Sequence, residues 1–567
     1  MLPYVAMRRT GVREGLIVFG TAAVLAVIMT YPLAFGLGSL GRLETGDGTF
    51  SIWNVAWVAH ALLTDPLHLL DANIFYPHGR TLLYAESNIG AGVLAAPAYW
   101  ITHNPYLAHN IVVLLTFVLS AVGMYYLARH LTGSRPAAAV AAVLFAYCPF
   151  VYARTAHIQL LMTATLPFSM LAFHRVVEKP SPGRAIGLGL TLVATALACG
   201  YYSVFVAMLV GGGSLYYLVT RRYWRNASYY LALASAAAIV LVLTWPLVGS
   251  YLDLGNGGKP FRTLEESRLY SANLGAYLAA AGRGNGWLLP FAGRFSEVLF
   301  PGILALVFAS VGMVVAAKAM VSRPPAPGGP GTAAVARDII VFYATVAGLS
   351  FWLSFGPDAG LYTLLYERLP FFTLLRAPAR FGLVVTFALV LFAAIGLAAL
   401  LRNRRSAPCL AGLLMLVALG ELTPVPLDYR EATPPAPAYK ALATLPFGAV
   451  AEFPFFYREV DFHRHTYYML NSAFHWKPLV NGYSDFFPRD FLEMVVPVSS
   501  FPTLESFGIL QRHQARYVVF HPGFYDRRSL EKLNERIQQY REYLRPIQTD
   551  GDAWLYEIVG WPTREPN

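Results

Sequence analysis

Residues 15–50, GLIVFGTAAVLAVIMTYPLAFGLGSLGRLETGDGTF, run from an apolar stretch into a glycine-rich turn that carries two acids. The stretch from Leu16 to about Gly36 is long enough to cross a bilayer. Arg8, Arg9 and Arg13 precede it. It is longer than the core of a signal peptide and lacks a small-residue cleavage site, so it reads as a retained first helix. Glu44 and Asp47 then fall just beyond its far end, with Gly46 and Gly48 allowing a sharp turn and close approach. Read from spacing, Asp47 is either a solvated turn acid or a carboxylate that accepts a proton from a hydroxyl.

Composition extends that reading to the whole chain. Apolar residues make up 56% of the 567 and charged residues 13%, against about 25% charged in an ordinary soluble domain. Mean hydropathy is +0.48. The net charge of +11 does not point to nucleic acid, because the basic residues sit in short loops between apolar runs. Cys148, Cys199 and Cys409 lie scattered in apolar stretches. They read as small buried hydrophobes, with neither a disulfide framework nor a metal site.

Spans are expected near 15–36, 107–129, 136–153, 158–176, 184–201, 203–220, 228–250, 299–318, 339–356, 380–402 and 407–425, about eleven in all. The pair 184–201 and 203–220 also reads as one bent element. "GGG" at 211–213 reads as a site of close helix packing. With a cytoplasmic N-terminus, every cytoplasmic loop is basic, for example Arg129 with Arg135, and Arg221 with Arg222 and Arg225. The acids fall mostly on the other side, which places the C-terminus outside the cytoplasm.

A transmembrane domain is therefore expected over 1–426, with long outer loops at 37–106, 251–298 and 357–379 and a Pro/Gly cytoplasmic linker at 321–338. In the first loop, "FSIWNVAWVAHALL" and "IGAGVLAAPAYWI" read as interfacial helices with Trp at headgroup depth. From 427 the apolar runs shorten to strand length, as in "GAVAEFPF", "ARYVVFHP" and "AWLYEIV", with an amphipathic helix between the last two. Residues 427–567 are thus expected to form a small extracytoplasmic α/β domain. Its His463, His465 and His475 either bind an acceptor or pack the domain.

Ionisable groups gather on the outer side. Asp71 and Glu86 share the first loop with Asp47, and each also reads as an ordinary turn or helix-start acid. Tyr84 stands beside Glu86. Arg154 and His157 occupy a tight corner, where such groups mark a substrate path or snorkel to headgroups. Arg376 and Arg380 in "LLRAPARFG" lie one turn apart and suit an anion, whether a lipid-linked phosphate or an ordinary headgroup. The second loop adds Arg262, Glu265, Glu266 and Glu297. The sequence contains no P-loop, GxSxG or HExxH.

This arrangement resembles the GT-C superfamily of integral membrane glycosyltransferases. It is most similar to the bacterial branch related to protein O-mannosyltransferases and lipid A aminoarabinose transferases. The resemblance rests on Gly46–Asp47, "FYP" at 75–77, "RAPARF" at 376–381 and "HWKPLVNGYS" at 475–484, and covers nearly the whole chain. It implies an inverting transfer from a polyprenyl-phosphate sugar to a hydroxyl of an envelope glycan, lipid or protein, on the outer face of the inner membrane. Asp47 would be the general base, with Glu44, Asp71 or Glu86 supporting it. Arg376 and Arg380, then Arg154 and His157, would hold the donor phosphate. Tyr84, Arg262, Glu265 and Glu297 would lie in substrate loops. "ETGD" departs from the closer-spaced acid pairs of some branches, which leaves Glu44 without a firm role. Some relatives use a divalent metal; no compact ligand cluster is present here, so none is expected. The alternatives are a flippase of lipid-linked sugars, an O-antigen-ligase-like enzyme and a non-catalytic envelope scaffold. A flippase would place charged or broken helices at the midplane.

Overall fold

The computed structural model describes residues 2–256, 262–321 and 337–565. The Pro/Gly linker expected at 321–338 lies almost wholly outside the described residues. Among those residues, seven helices are long and apolar enough to span a bilayer: Gly11–Met29, Pro105–Thr132, Arg135–Tyr152, Gly200–Thr220, Ala227–Leu254, Ile303–Val321 and Pro378–Leu401. The expected spans at 158–176, 184–201, 339–356 and 407–425 coincide with helices that are broken, shorter or less apolar. These are Ile158–Leu161 with Thr165–Glu178, then Pro182–Ala198, Arg337–Ser354 and Ala407–Leu422. Hydropathy reads straight through such breaks. Cys199, for instance, sits in extended backbone (φ −162°, ψ 125°) between Pro182–Ala198 and Gly200–Thr220, so the expected bent element is two helices.

The chain divides into two compact units. One comprises Met1–Phe35 with Val113–Leu427, the other Gly36–Val112 with Asp428–Asn567. The first unit is the helical one, opening with α1 (Leu2–Met29). Its charged residues pair among themselves: Glu14 takes hydrogen bonds from Tyr125, Arg129 and Arg135, and Arg221 pairs with Asp338 at 2.6 Å. Of "GGG", only Gly213 is packed, with a Phe173 ring carbon 2.8 Å from where a Cβ would stand, while Gly211 and Gly212 face open space. Cys148 and Cys199 are buried as expected, and Cys409 is exposed.

The second unit is built from two distant parts of the sequence. Its tail holds a four-stranded sheet in the order β3-β4-β6-β5. β3 (Ala449–Phe453) runs parallel to β4 (Ala515–Phe520), while β6 (Trp554–Ile558) is antiparallel to both β4 and β5 (Leu544–Gln548). The loop contributes β1 (Leu40–Gly41), which pairs with β2 (Arg430–Glu431), and two helices, α2 (Gly46–Thr64) and α3 (Ile89–Thr102). Leu479 bridges to Val450 of β3. Residues 73–76 then continue the edge outward. Phe75 and Tyr76 donate their N–H groups to the carbonyls of Asn481 (3.1 Å) and Leu479 (2.9 Å), and Leu479 donates to Asn73 (2.9 Å). The two motifs "FYP" and "HWKPLVNGYS" therefore meet.

Rings seal this edge. Phe75 is 1% exposed and packs against Tyr84, Phe487 and Phe491 at centroid distances of 5.9, 5.9 and 4.9 Å. A Cβ on Gly482 would stand 2.6 Å from the Phe75 ring, so only glycine admits it. The α2 tryptophans, expected at headgroup depth, are buried within this unit. Trp53 donates its indole N–H to Asn73 (3.2 Å), and Trp57 donates to the Leu69 carbonyl (3.0 Å).

Removing the Phe75 ring tests this joint. Phe75→Ala is expected to destabilise the second unit by about 3–5 kcal/mol, read as a lowered melting temperature of the purified protein. Acid is a second probe. Burial holds the His465 pKa down to about 4. Burial, with repulsion from His103, does the same to His60. Between the unfolded value of about 6.5 and pH 4 the unfolded chain binds protons that the native state refuses. Stability is therefore complete above pH 6.5 and falls as pH drops toward 4, by up to about 3 kcal/mol for His465 alone. Melting curves from pH 7.5 to 4 should be flat at first and then decline.

Candidate functional site

In the second unit, the site forms where α2 starts. Thr45 is the N-cap, in extended backbone (φ −118°, ψ 141°), and its hydroxyl accepts the N–H of Gly48 at 3.1 Å. Asp47 lies in the first turn, where the helix dipole favours a carboxylate. A Cβ on Gly48 would stand 2.0 Å from the Arg42 carbonyl oxygen. The glycine thus lets the chain double back on itself. Arg42 reaches forward to pair with Glu44. Glu44 is consequently held by a cation; Glu44 and Asp47 are both exposed.

The other loop acids have different surroundings. The Asp71 carboxylate accepts the Arg80 N–H at 2.6 Å and so closes its own loop. Glu86 is half-buried, and its carbonyl accepts from the Asn54 side chain of α2 at 3.2 Å. Tyr84 is 5% exposed, with Phe486 edge-on at 5.1 Å. It is part of the ring cluster that seals the sheet edge. Burial and the Asp490 charge raise its pKa.

Beside the α2 start lies a cleft of about 360 Å³, lined by Leu43 to Gly46 and by Tyr106, His463, Tyr467, Asn471 and Phe524. Glu431 and Arg464 also border it. Three rings, an amide, hydroxyls and carboxylates around one space suit a sugar: rings meet its C–H faces and the polar groups meet its hydroxyls. Of the tail histidines, only His463 reaches this cleft. His465 is buried, and its Nδ1 accepts from the Asn481 side-chain amide (3.3 Å). His475 stacks on Tyr439 at 5.9 Å. Tyr106, Tyr467 and Asn471 were not legible as site residues, because they join the cleft only through folding.

The first unit gathers a second group. The backbone N–H groups of Arg376 and Ala377 both donate to the Tyr201 hydroxyl, at 2.9 and 3.2 Å. Arg376 also donates to the Tyr270 hydroxyl (2.7 Å) and lies over that ring at 4.5 Å. Glu266 pairs with both Arg376 and Arg262, each at 3.0 Å. Arg380 lies over the Tyr201 ring at 4.2 Å, and its buried Nε finds no hydrogen-bond partner among the described residues. Two guanidiniums thus share one carboxylate, and Arg380 on the Tyr201 ring adds a further positive charge and an unmet donor for an anion. Tyr201 and Tyr270 hold this cluster together, and no motif announces them.

The remaining candidates are committed elsewhere. Arg154 pairs with Glu297, which is 5% exposed. His157 precedes the short helix Ile158–Leu161. Glu265 pairs with Arg268. Among the described residues, no group of three or more His, Cys, Asp or Glu comes together as metal ligands.

A family model described as "Domain of unknown function (DUF6311)" matches residues 17–419. No curated protein matches the chain in sequence. Among solved structures, the apo oligosaccharyltransferase of Archaeoglobus fulgidus aligns with 14% identity, covering 90% of this chain and 69% of that one, with a TM-score of 0.44. Archaeal oligosaccharyltransferase AglB from Archaeoglobus fulgidus, in complex with an inhibitory peptide and a dolichol-phosphate, aligns with 12% identity over 97% and 75%, TM-score 0.43. ArnT from Cupriavidus metallidurans bound to undecaprenyl phosphate aligns with 12% identity over 84% and 88%, TM-score 0.32. Likeness at these scores decides nothing about chemistry.

The Tyr201 hydroxyl offers a direct check on the arginine cluster. Tyr201→Phe strips two backbone donors of their acceptor, one of them on the buried Ala377. The loss is expected to cost about 1–3 kcal/mol, read as a lower melting temperature of the detergent-solubilised protein.

Proposed function

We propose that this chain, which belongs to the DUF6311 family, is an inverting GT-C-type membrane glycosyltransferase. It moves a sugar from a polyprenyl-phosphate donor to a hydroxyl of an envelope glycan, lipid or protein on the outer face of the inner membrane. In this reading the chain crosses the membrane about eleven times, with a cytoplasmic N-terminus and an outer C-terminal domain. The observation that carries the proposal is the ring- and amide-lined cleft whose wall includes residues 43–46, with Asp47 next in the chain at the first turn of α2.

The chemistry assigned to Asp47 is general-base catalysis. Its carboxylate takes the proton of the acceptor hydroxyl. The oxygen attacks the anomeric carbon opposite the departing phosphate, the bond from that carbon to the phosphate oxygen breaks, and its electron pair leaves with the phosphate. The configuration at carbon inverts. Arg380, with its unmet donor, and Arg376 are the groups proposed to hold the donor phosphate as charge develops on it. Glu44 is neutralised by Arg42 and Asp71 is turned onto its own loop, so Glu86 is the acid proposed to support Asp47.

Asp47→Asn keeps the shape of the turn and removes the base. Transfer of radiolabelled sugar from polyprenyl-phosphate donors to a membrane extract is expected to fall by about 10²–10⁴-fold, with the fold kept and stability lowered by no more than about 1 kcal/mol for the lost charge at the helix start. Equal labelling by variant and wild type would remove Asp47 from the mechanism.

A further inference from the structure

A second cleft of about 270 Å³ opens elsewhere in the same unit. Its floor is aromatic, made by Phe455, Phe456 and Phe501, which are 1%, 7% and 2% exposed. Its rim is basic, formed by Arg458, Lys532 and Arg536, against the single carboxylate of Asp461. Arg536 is fixed in place by donating to the Ser500 carbonyl at 2.7 Å. Arg458 and Lys532 are exposed and project their charge into water. The nearby acid Glu531 does not line the cleft and is paired with Arg527 at 3.1 Å. Rings below and cations around the edge describe a site for a ring-shaped ligand that carries an anion.

One stack of side chains joins the two clefts. Arg464 lies over the Phe456 ring at 4.3 Å and near the Phe524 ring at 5.8 Å. Phe456 lines the basic cleft, whereas Arg464 and Phe524 line the cleft beside Asp47. Tyr525, next in the chain after Phe524, lines the basic cleft. The two spaces are thus neighbours, linked by the contacts of Arg464 with Phe456 and Phe524. Their electrostatics differ. The cleft at α2 balances Glu44 and Glu431 against Arg464 and the Arg42 paired with Glu44, and suits neutral hydroxyls, while the basic cleft suits an acid.

We propose that the basic cleft is a distal saccharide subsite, taking a carboxylate- or phosphate-bearing sugar unit of an extended chain whose neutral end lies in the cleft beside Asp47. The word acceptor for that chain rests on the glycosyl-transfer reading; the binding itself does not. A linear glycan passes over the exposed Phe524 and Arg464 side chains and places its acid between Arg458 and Lys532. The acceptor in this reading is an acidic oligomer rather than a single sugar or a neutral polymer.

Binding to the detergent-solubilised whole chain tests this without turnover. The Asp47→Asn protein is titrated calorimetrically with tetragalacturonate, with a phosphorylated mannotetraose and with neutral maltotetraose. At least one acidic oligomer is expected to bind about 10-fold or more tightly than the neutral one, with the advantage shrinking as salt rises. Whichever acidic oligomer does so identifies carboxylate or phosphate as the acid. Arg458→Gln with Lys532→Gln changes exposed side chains only and should erase that advantage while leaving neutral binding and the melting temperature unchanged. Tyr467→Ala, in the other cleft, should weaken all oligomers alike. Equal affinity for neutral and acidic oligomers, an undiminished advantage in the double variant, or binding of none would overturn the proposal. Transfer activity persisting in Asp47→Asn would sink the base assignment and leave this binding result standing.

Discussion

The second unit depends on three backbone hydrogen bonds between residues 73–76 and 479–481. Each joins a loop segment to a tail segment some four hundred positions away, and buried backbone groups at a sheet edge require such partners. Around them sit the Phe75 ring cluster and the Asn73 side chain, which donates to Ser472 (3.0 Å) and to the Lys477 carbonyl (3.1 Å). With this edge in place, the loop ceases to be a loop and becomes part of the tail's fold. The cleft beside Asp47 follows from that, since its walls come from both sequence segments.

The pairing also assigns a physical meaning to two motifs that first served only as marks of resemblance. Phe75–Tyr76–Pro77 and His475–Ser484 are the two sides of one joint. Gly482 is small because a ring occupies the place of its side chain. Trp476 of the same segment stacks on His60 of α2 at 4.6 Å and donates to the Tyr99 hydroxyl of α3 at 2.9 Å. Neither motif touches the chemistry directly; together they position the helix that carries Asp47.

Part of this was legible in sequence. Apolar runs located the seven long helices because length and composition alone set them, and the shift in pattern expected at 427 falls beside the unit boundary at 428, though the pairing of 36–112 with the tail did not show. Asp47, Arg376 and Arg380 stood out as ionisable groups in unusual company. Three kinds of feature were hidden. Helix breaks such as Cys199 are a matter of backbone angles that hydropathy does not register. Burial of Trp53 and Trp57 depends on partners from elsewhere in the chain. Tyr201, Tyr270, Tyr467 and Asn471 acquire roles only through contacts, since tyrosine and asparagine are commonplace in any single stretch.

Discontinuity gives the second unit a history as well as a shape. Residues 36–112 are synthesised early, and the segment that completes their fold begins at 428. During the interval, Trp53, Phe75 and the edge at 73–76 have no tail to bury them, and the closing contact spans a very long intervening chain. Exposed rings and an unpaired edge are the features that chaperones hold and proteases find. The early loop is thus open to quality control until the tail arrives, and arrival of the last strands turns a vulnerable segment into a folded one.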